Sequence, residues 1–338
     1  MAIPDLAPIT SAGLLVTDWC PARCRHCYVS AGPDGSRWMS VEEGADRFSA
    51  LARLGADPAW IHIGGGEPFG DFDRLLAMVR AARRAGLDGV GYVETNAYWA
   101  TSPEEARTRL VALREAGMRQ ISLSADPYHQ EFVPPERVRL LYEVAHEAIG
   151  PGGVRARRWR WLREARDTAA MAEADRTALF RDFLARYAER MTGRAATQLA
   201  PLLERRPTDA FAGATCRDEL LSSRHVHVDP DGWVYPGTCA GIVLGRATEA
   251  QPLDGVLASW RLADWPRVRT LVEQGPEGLL PEAEIHGFRA DPAGYASKCH
   301  LCWSIRVHLV SSGAGNGVFE PSALYEEAPT PATKEVSR

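Results

Sequence analysis

The sequence predicts an α/β protein built on a parallel sheet, followed by a smaller α+β module carrying a β-hairpin. Three observations predict it. From about residue 12 to 150, short β-like runs alternate with helical patterns at ~30-residue spacing, the signature of a parallel sheet, either doubly wound or a barrel. Beyond Gly150 that alternation loosens. Near the C-terminal third, Asp229-Pro230-Asp231-Gly232 separates two β-like runs, a strong hairpin signal.

Gly13–Thr17 reads as the first strand, leading into a cysteine-rich loop. Val41–Leu54 reads as a helix capped by Ser40, with Phe48, Leu51 and Leu54 on one face. Trp60–Ile63 is the second strand, with Trp60 and His62 as packing residues, and Gly64-Gly65-Gly66 ends it. Asp71–Ala85 is helical through Leu75, Leu76 and Val79, and Gly86 stops it. Gly89–Glu94, the helix Pro103–Ala116, Gln120–Leu123 and the helix Pro135–Ile149 continue the pattern. Val154–Trp161 is expected as a fifth strand, and Asp175–Met191 as a helix with Leu179, Phe183, Tyr187 and Met191 along one stripe. His225–Val228 and Trp233–Tyr235 form the hairpin, and the Gly-, Ala- and Pro-rich tail after Ser311 is expected to fray. No internal repeat is visible.

The 338 residues are 45% hydrophobic and 25% charged, which excludes a disordered chain or a collagen-like fibre. A net charge of −5 gives no basic field for nucleic acid. No apolar run approaches the ~18 residues of a membrane span. Met1–Pro8 carries Asp5 and no basic residue, which predicts no secretory signal and a cytoplasmic location. Lys298 and Lys334 are the only lysines, the other basic residues being arginine, and no Gly-Lys pair exists to build a phosphate-cradling loop.

Seven cysteines, an odd number, argue against a disulfide framework and for metal or redox chemistry. Cys20, Cys24 and Cys27 lie within eight residues on the loop after the first strand. Three thiolates there can hold three corners of a [4Fe–4S] cube and leave one iron open. The alternative is zinc, with His26 as fourth ligand, although two-residue spacings are the zinc habit.

The Cys-x3-Cys-x2-Cys loop after a first strand resembles that of radical S-adenosylmethionine (radical SAM) enzymes, with His26 in the slot usually held by an aromatic residue. The resemblance implies a partial (β/α)6 TIM-type barrel over residues 1–210. It also implies an open iron chelated by S-adenosylmethionine, and a 5′-deoxyadenosyl radical that abstracts hydrogen. Gly65, Gly66, Glu67 and Pro68 match the family's Gly-Gly-Glu-Pro segment at the end of the second strand, where the backbone approaches the bound cofactor. The same glycines fail the dinucleotide fingerprint, since Phe69 stands where its third glycine belongs. Thr95 and Asn96 end the third strand and Ser124 the fourth. Strand ends of that kind face a barrel's functional mouth, and similar segments contact S-adenosylmethionine in the family.

Cys216, Cys239, Cys299 and Cys302 complete a second set, the usual number for a closed cluster. A structural zinc is the alternative, and only the Cys299–Cys302 spacing is diagnostic of metal at all. The set resembles the twitch module, the shortened SPASM extension, and implies one auxiliary [4Fe–4S] cluster within residues 211–310, with 311–338 as a tail. Three and four thiols leave none over. An epimerase-type hydrogen-donor thiol is then missing, and net oxidation through the auxiliary cluster is expected, unless Cys239 is free to donate hydrogen.

Tyr128 and His129, after the fourth strand, are candidate acid–base or substrate contacts. Arg155 and Arg157 are candidate anion contacts at the head of an arginine-rich run that otherwise reads as a solvated face. With the barrel starting near residue 12 and no leader-recognition domain before it, the expected substrate is a small sugar, aminocyclitol or nucleoside-like molecule. A ribosomal peptide is the rival within the family. A flavodoxin or ferredoxin is expected as reductant. Outside the family, a non-catalytic zinc or iron–sulfur protein is the alternative.

Overall fold

The computed structural model describes residues 6–164, 166–315 and 317–326. Met1–Asp5, at the start expected to hold no export signal, and 327–338, with Lys334, lie outside the described residues. In chain order the first elements are β1 (Ser11–Leu15), α1 (Val41–Arg53), β2 (Ile61–Gly64), α2 (Phe72–Arg84), β3 (Val90–Thr95), α3 (Pro103–Ala116), β4 (Met118–Leu123), α4 (Pro135–Ala148) and β5 (Val154–Ala156). Next come α5 (Trp159–Glu164), α6 (Glu173–Arg186), α7 (Arg194–Gln198), α8 (Arg217–Leu221), β6 (His225–Val228), β7 (Trp233–Pro236) and β8 (Gly245–Arg246). The chain continues with α9 (Leu253–Ser259), α10 (Pro266–Glu273), α11 (Leu280–Ile285) and α12 (Lys298–Ser311).

One sheet runs β5-β4-β3-β2-β1-β6-β7-β8. β1 to β5 are parallel neighbours, and β6 adds in parallel on the other side of β1. β7 and β8 then pair antiparallel. The sheet is mostly parallel and unclosed, the form of a partial TIM-type barrel. Its sixth parallel strand comes from the hairpin rather than from a βα unit after β5. An uncovered β1 edge would leave a row of unpaired backbone groups beside the site; β6 covers it, so the hairpin starts no sheet of its own.

Local signals set the helices. Ser40 caps α1 by accepting from the Glu43 N–H at 3.1 Å, and Glu43 accepts in return from the Ser40 N–H at 2.8 Å. Asp71 caps α2 and Ser102 caps α3. Ala12, Leu14, Ile61, Ile63, Val93, Ile121, Leu123, Val226 and Val228 bury one face of the sheet in the hydrophobic core. The alternate residues make the other face.

Four expectations need correction. The fifth strand stops at Ala156, where its partner β4 runs out at Leu123, and the chain turns into α5 instead of continuing to Trp161. Trp60 ends a 3₁₀ turn and is 60% exposed, so it packs no strand. Helix α6 ends at Arg186 and buries Phe180, Phe183 and Leu184; of the expected stripe Phe183 is buried on the helix, and Met191 is buried beyond its end. The start of the expected loose tail is packed: Phe319, Leu324 and Tyr325 are buried. Among the described residues no helix is long and apolar enough to cross a membrane.

Candidate active site

The C-terminal ends of the parallel strands all open at one edge, and the chain after β1 is sewn to the chain after β2. Val16 N–H donates to Gly64 O at 2.9 Å, Gly66 N–H to Thr17 O at 2.7 Å, and Glu67 N–H to Trp19 O at 2.8 Å. This close approach is what Gly66 provides, since a Cβ there would lie 2.0 Å from Trp19 O. Gly65 adds a φ of +119°, which L side chains rarely adopt. Pro68 follows at the start of a 3₁₀ turn and is buried with Phe69.

Cys20 is thereby delivered to the strand-end edge; its N–H donates to Gly32 O at 3.0 Å, and Cys27 N–H donates to Cys24 O at 3.1 Å. All three thiols are free, Cys20 and Cys24 being buried. Burial first, and then the Glu67 carboxylate, push the Cys20 thiol up to about 12. Burial and the neighbouring Cys20 and Asp126 push Cys24 well above its ordinary value.

A residue that sequence reasoning missed clamps this loop. Arg194 donates from Nε to Cys24 O at 3.0 Å and from Nη2 to Ala31 O at 2.6 Å, and its N–H reaches Cys27 O at 3.2 Å. Gly193 before it has φ +57°, and a Cβ there would stand 2.4 Å from Cys27 O. Only a Gly-Arg pair far along the chain hints at this contact.

Glu67, Thr95 and Asn96 form one buried knot. The Glu67 carboxylate accepts from Thr95 Oγ1 at 2.9 Å, from Asn96 N–H at 2.7 Å and from Phe69 N–H at 3.3 Å. Burial raises the Glu67 carboxyl to about 7 against these three bonds. Asn96 Nδ2 points at Cys20 Sγ, 3.5 Å away, and Ser124 N–H donates to Thr95 O at 2.9 Å. The segments after β1, β2, β3 and β4 thus meet.

His26 is turned toward Asp126, with Nε2 3.8 Å from Oδ2, and its ring packs on Tyr128 and His129. Burial lowers its imidazole to about 3. His129 Nδ1 sits 2.8 Å from Asp126 Oδ2. Burial pulls His129 down, but the Asp126 carboxylate outweighs it and the net shift is upward. Tyr128 lies inside a second core cluster against Phe180 and Phe183, its hydroxyl buried without a partner. It therefore does not stand in an open mouth.

The other sheet face is polar. His62 stacks on Tyr92 with centroids 4.7 Å apart, and His225 and His227 lie 5.5 and 5.3 Å from His62. Gly13 between them leaves the room, since a Cβ would fall 2.4 Å from His62 Nε2. Arg155 lies over the Tyr92 ring at 4.4 Å. Arg157, exposed, donates its N–H to Leu123 O at 3.2 Å. Glu94, opposite Ser122, places Oε2 2.9 Å from where a Gly64 Cβ would be. Period-two alternation of these residues with the core set was legible, but their convergence across β2, β3, β5 and β6 needed the strand order.

Cys216, Cys239, Cys299 and Cys302 line one pocket together with Arg190, Glu219, Lys298 and Arg306. Arg190 Nη1 donates to Cys239 Sγ at 3.1 Å, and Lys298 Nζ pairs with Glu219 at 2.8 Å. Burial pushes the Cys299 thiol up to about 11. The three-donor groups found with ligand atoms within 4.8 Å of one another are His62–His225–His227 and His26–Asp126–His129. Among the described residues, neither of these groups contains a cysteine.

Residues 14–169, which hold the whole cysteine loop and the knot behind it, match the Radical SAM superfamily. These residues form a radical SAM domain. Three solved structures resemble the chain around that domain. BtrN in complex with AdoMet and 2-DOIA is 16% identical, covering 79% of this chain and 89% of its own, with TM-score 0.46. Native anSMEcpe with bound AdoMet is 11% identical over 91% and 100%, with TM-score 0.47. The same protein with AdoMet and the Cp18Cys peptide is 12% identical over 89% and 96%, with TM-score 0.43. No curated protein matches the chain in sequence.

Proposed function

We propose that this radical SAM protein oxidises a small, polar biosynthetic molecule, of the sugar, aminocyclitol or nucleoside kind, using a second iron–sulfur cluster as electron acceptor. One observation carries the reading. The seven thiols divide without remainder into three on the radical SAM loop and four around a single separate pocket. Both sets suit iron–sulfur clusters, because they are buried or half-buried and unpaired in disulfides.

Cys20, Cys24 and Cys27 would hold the first cluster, which together with bound S-adenosylmethionine would supply hydrogen-abstracting radical chemistry. Glu67, Thr95 and Asn96 hold the strand ends in register beneath it, and Asn96 directs an N–H at the Cys20 sulfur. His26, Ser124 and the Gly65–Pro68 segment border the same place and would contact the bound nucleoside. The polar sheet face would take the substrate. Arg155 and Arg157 offer cations, Glu94 offers a carboxylate, and His62, His225 and His227 offer neutral imidazoles, a mixture suited to hydroxyl and amine groups. His129, ion-paired with Asp126, is placed to hold a proton. Cys239, bonded by Arg190 and facing three other thiols, is better placed as a ligand than as a free hydrogen donor. A cytoplasmic location and a flavodoxin or ferredoxin donor fit this chemistry.

The test is anaerobic turnover of the reconstituted, reduced protein with deuterated candidate substrates. Deuterium in 5′-deoxyadenosine and an oxidised product support the reading. Cleavage of S-adenosylmethionine that transfers label only from a peptide would move it to the peptide-modifying alternative.

A further inference from the structure

Arg306 follows Cys302 by one turn of α12 and is 1% exposed. A guanidinium so buried requires an anion nearby, because its desolvation is otherwise uncompensated. Its Nη1 donates to Ala240 O at 3.0 Å and to the Tyr325 hydroxyl oxygen at 2.7 Å. The Trp303 and Tyr325 rings lie under it at 4.9 and 5.5 Å, and its Nε is buried without a hydrogen-bond partner. Each of these partners is neutral. Among the described residues, no carboxylate lies in ion-pair contact with it, while the pocket it lines is that of the four thiols.

The charges around that pocket are uneven. Among the described residues Glu219 is the one carboxylate on its wall, and Lys298 pairs with it. Arg190 and Arg306 remain, two cations facing Cys216, Cys239, Cys299 and Cys302. Four thiolates around a [4Fe–4S] core make a dianion when oxidised and a trianion when reduced, so two cations balance the first state and favour the second. The hold on Arg306 is built in from the C-terminal segment. Tyr325 also donates to Gly241 O, and Gly241, at φ +83°, could carry no Cβ without meeting Tyr325 Oη at 2.3 Å and Arg306 Nη1 at 3.0 Å.

We propose that Arg306, held by Ala240 and Tyr325, is the charge that raises the reduction potential of the second cluster and makes it an electron acceptor. The proposal rests on the reading of the four thiols as cluster ligands. Arg306 touches neither substrate nor S-adenosylmethionine; it acts through the cluster's potential alone.

The experiment is a potentiometric titration of the reconstituted full chain, followed by electron paramagnetic resonance, after iron has been counted. With two clusters loaded, Arg306→Gln is expected to shift the reduction equilibrium of the second one at least tenfold toward the oxidised form, about 59 mV for one electron. Arg306→Lys, which keeps the charge, should keep most of the wild-type potential, and Tyr325→Phe, which only loosens the guanidinium, should move part of the way toward Arg306→Gln. If Arg306→Gln fails to load its cluster, Tyr325→Phe decides the question alone. Unchanged potentials in variants that carry both clusters overturn the role of Arg306. Iron for a single cluster in the wild-type protein, with zinc in the four-thiol pocket, overturns the earlier reading instead, and is seen before any potential is measured.

Discussion

The hydroxyl of Thr95 donates to the carboxylate of Glu67 at 2.9 Å. The same oxygen accepts from the Ala97 N–H and from the Trp99 indole N–H, both at 3.0 Å. One buried hydroxyl thus satisfies three groups, on the loop after β2 and the loop after β3. Thr95→Val keeps the shape and removes all three bonds. Each buried group left unpaired costs about 1–3 kcal/mol, so the variant should lose at least about 2 kcal/mol of unfolding free energy in anaerobic denaturant titration of the apoprotein. A loss within the scatter of the measurement would mean that water replaces the hydroxyl and that the knot is not structural.

The order of elements was legible up to β5 because βα alternation is a local signal, whereas the end of β5 was not, because it is set by where its partner β4 runs out. The cysteine loop and Gly65–Pro68 were legible because glycine and cysteine carry their chemistry wherever they sit. Arg194 was not. Its value lies in reaching the carbonyls of Cys24 and Ala31 across more than 160 residues of chain, and nothing in its neighbours marks it. The polar sheet face failed for a related reason. His62 reads as packing when β2 is taken alone, and becomes part of a site only once β6 is found beside β1 with His225 and His227 on it. Tyr325 was hidden by composition, since a segment rich in Gly, Ala and Pro looks loose until its aromatic residues are seen to pack.

Arg194 gives a prediction about metal rather than fold. It sits outside the cysteine loop and donates to two of its carbonyls, so Arg194→Ala should leave far-UV circular dichroism unchanged while loosening the three thiols. If the three thiols hold a cluster, iron retained there after gel filtration is expected to fall at least two-fold, with iron at the four-thiol pocket unchanged. Gly193→Ala should be more severe, because its Cβ would stand 2.4 Å from Cys27 O in a backbone conformation that alanine resists. Equal iron in wild type and Arg194→Ala would show that the thiols organise themselves without the clamp.

Cys239 separates oxidation from epimerisation. It faces Cys216, Cys299 and Cys302 across one pocket, and Arg190 bonds its sulfur. If it is a ligand, Cys239→Ala should remove one cluster's worth of iron, from about eight to about four per chain, and abolish that cluster's paramagnetic signal. If it is a hydrogen donor, iron should stay constant while turnover stops after hydrogen abstraction, leaving 5′-deoxyadenosine without product. Mössbauer spectroscopy of the variant distinguishes the two outcomes directly.

Asp229, in the hairpin turn between β6 and β7, gives a pH prediction for the scaffold. Its Oδ1 accepts from the N–H groups of Asp231 at 3.0 Å and Trp233 at 2.9 Å, and Tyr235 donates its hydroxyl to Oδ2. Burial outweighs these bonds and raises the carboxyl from 3.8 to about 6. The folded chain therefore keeps a proton that the unfolded chain has already lost. The stabilisation is full below about 3.8 and disappears as the pH rises through about 6, an effect on the order of 3 kcal/mol at most. Asp229→Asn can still accept the two N–H bonds and can donate to the Tyr235 oxygen, so it should fold and should lack this term. Its unfolding free energy is expected to be flatter than that of the wild type between pH 4 and 6, and the difference between the two curves should grow in the variant's favour toward neutrality. Parallel curves over that window would place the proton elsewhere, with Asp229 ionised throughout and the Tyr235 hydroxyl, rather than a carboxyl proton, filling the bond between them.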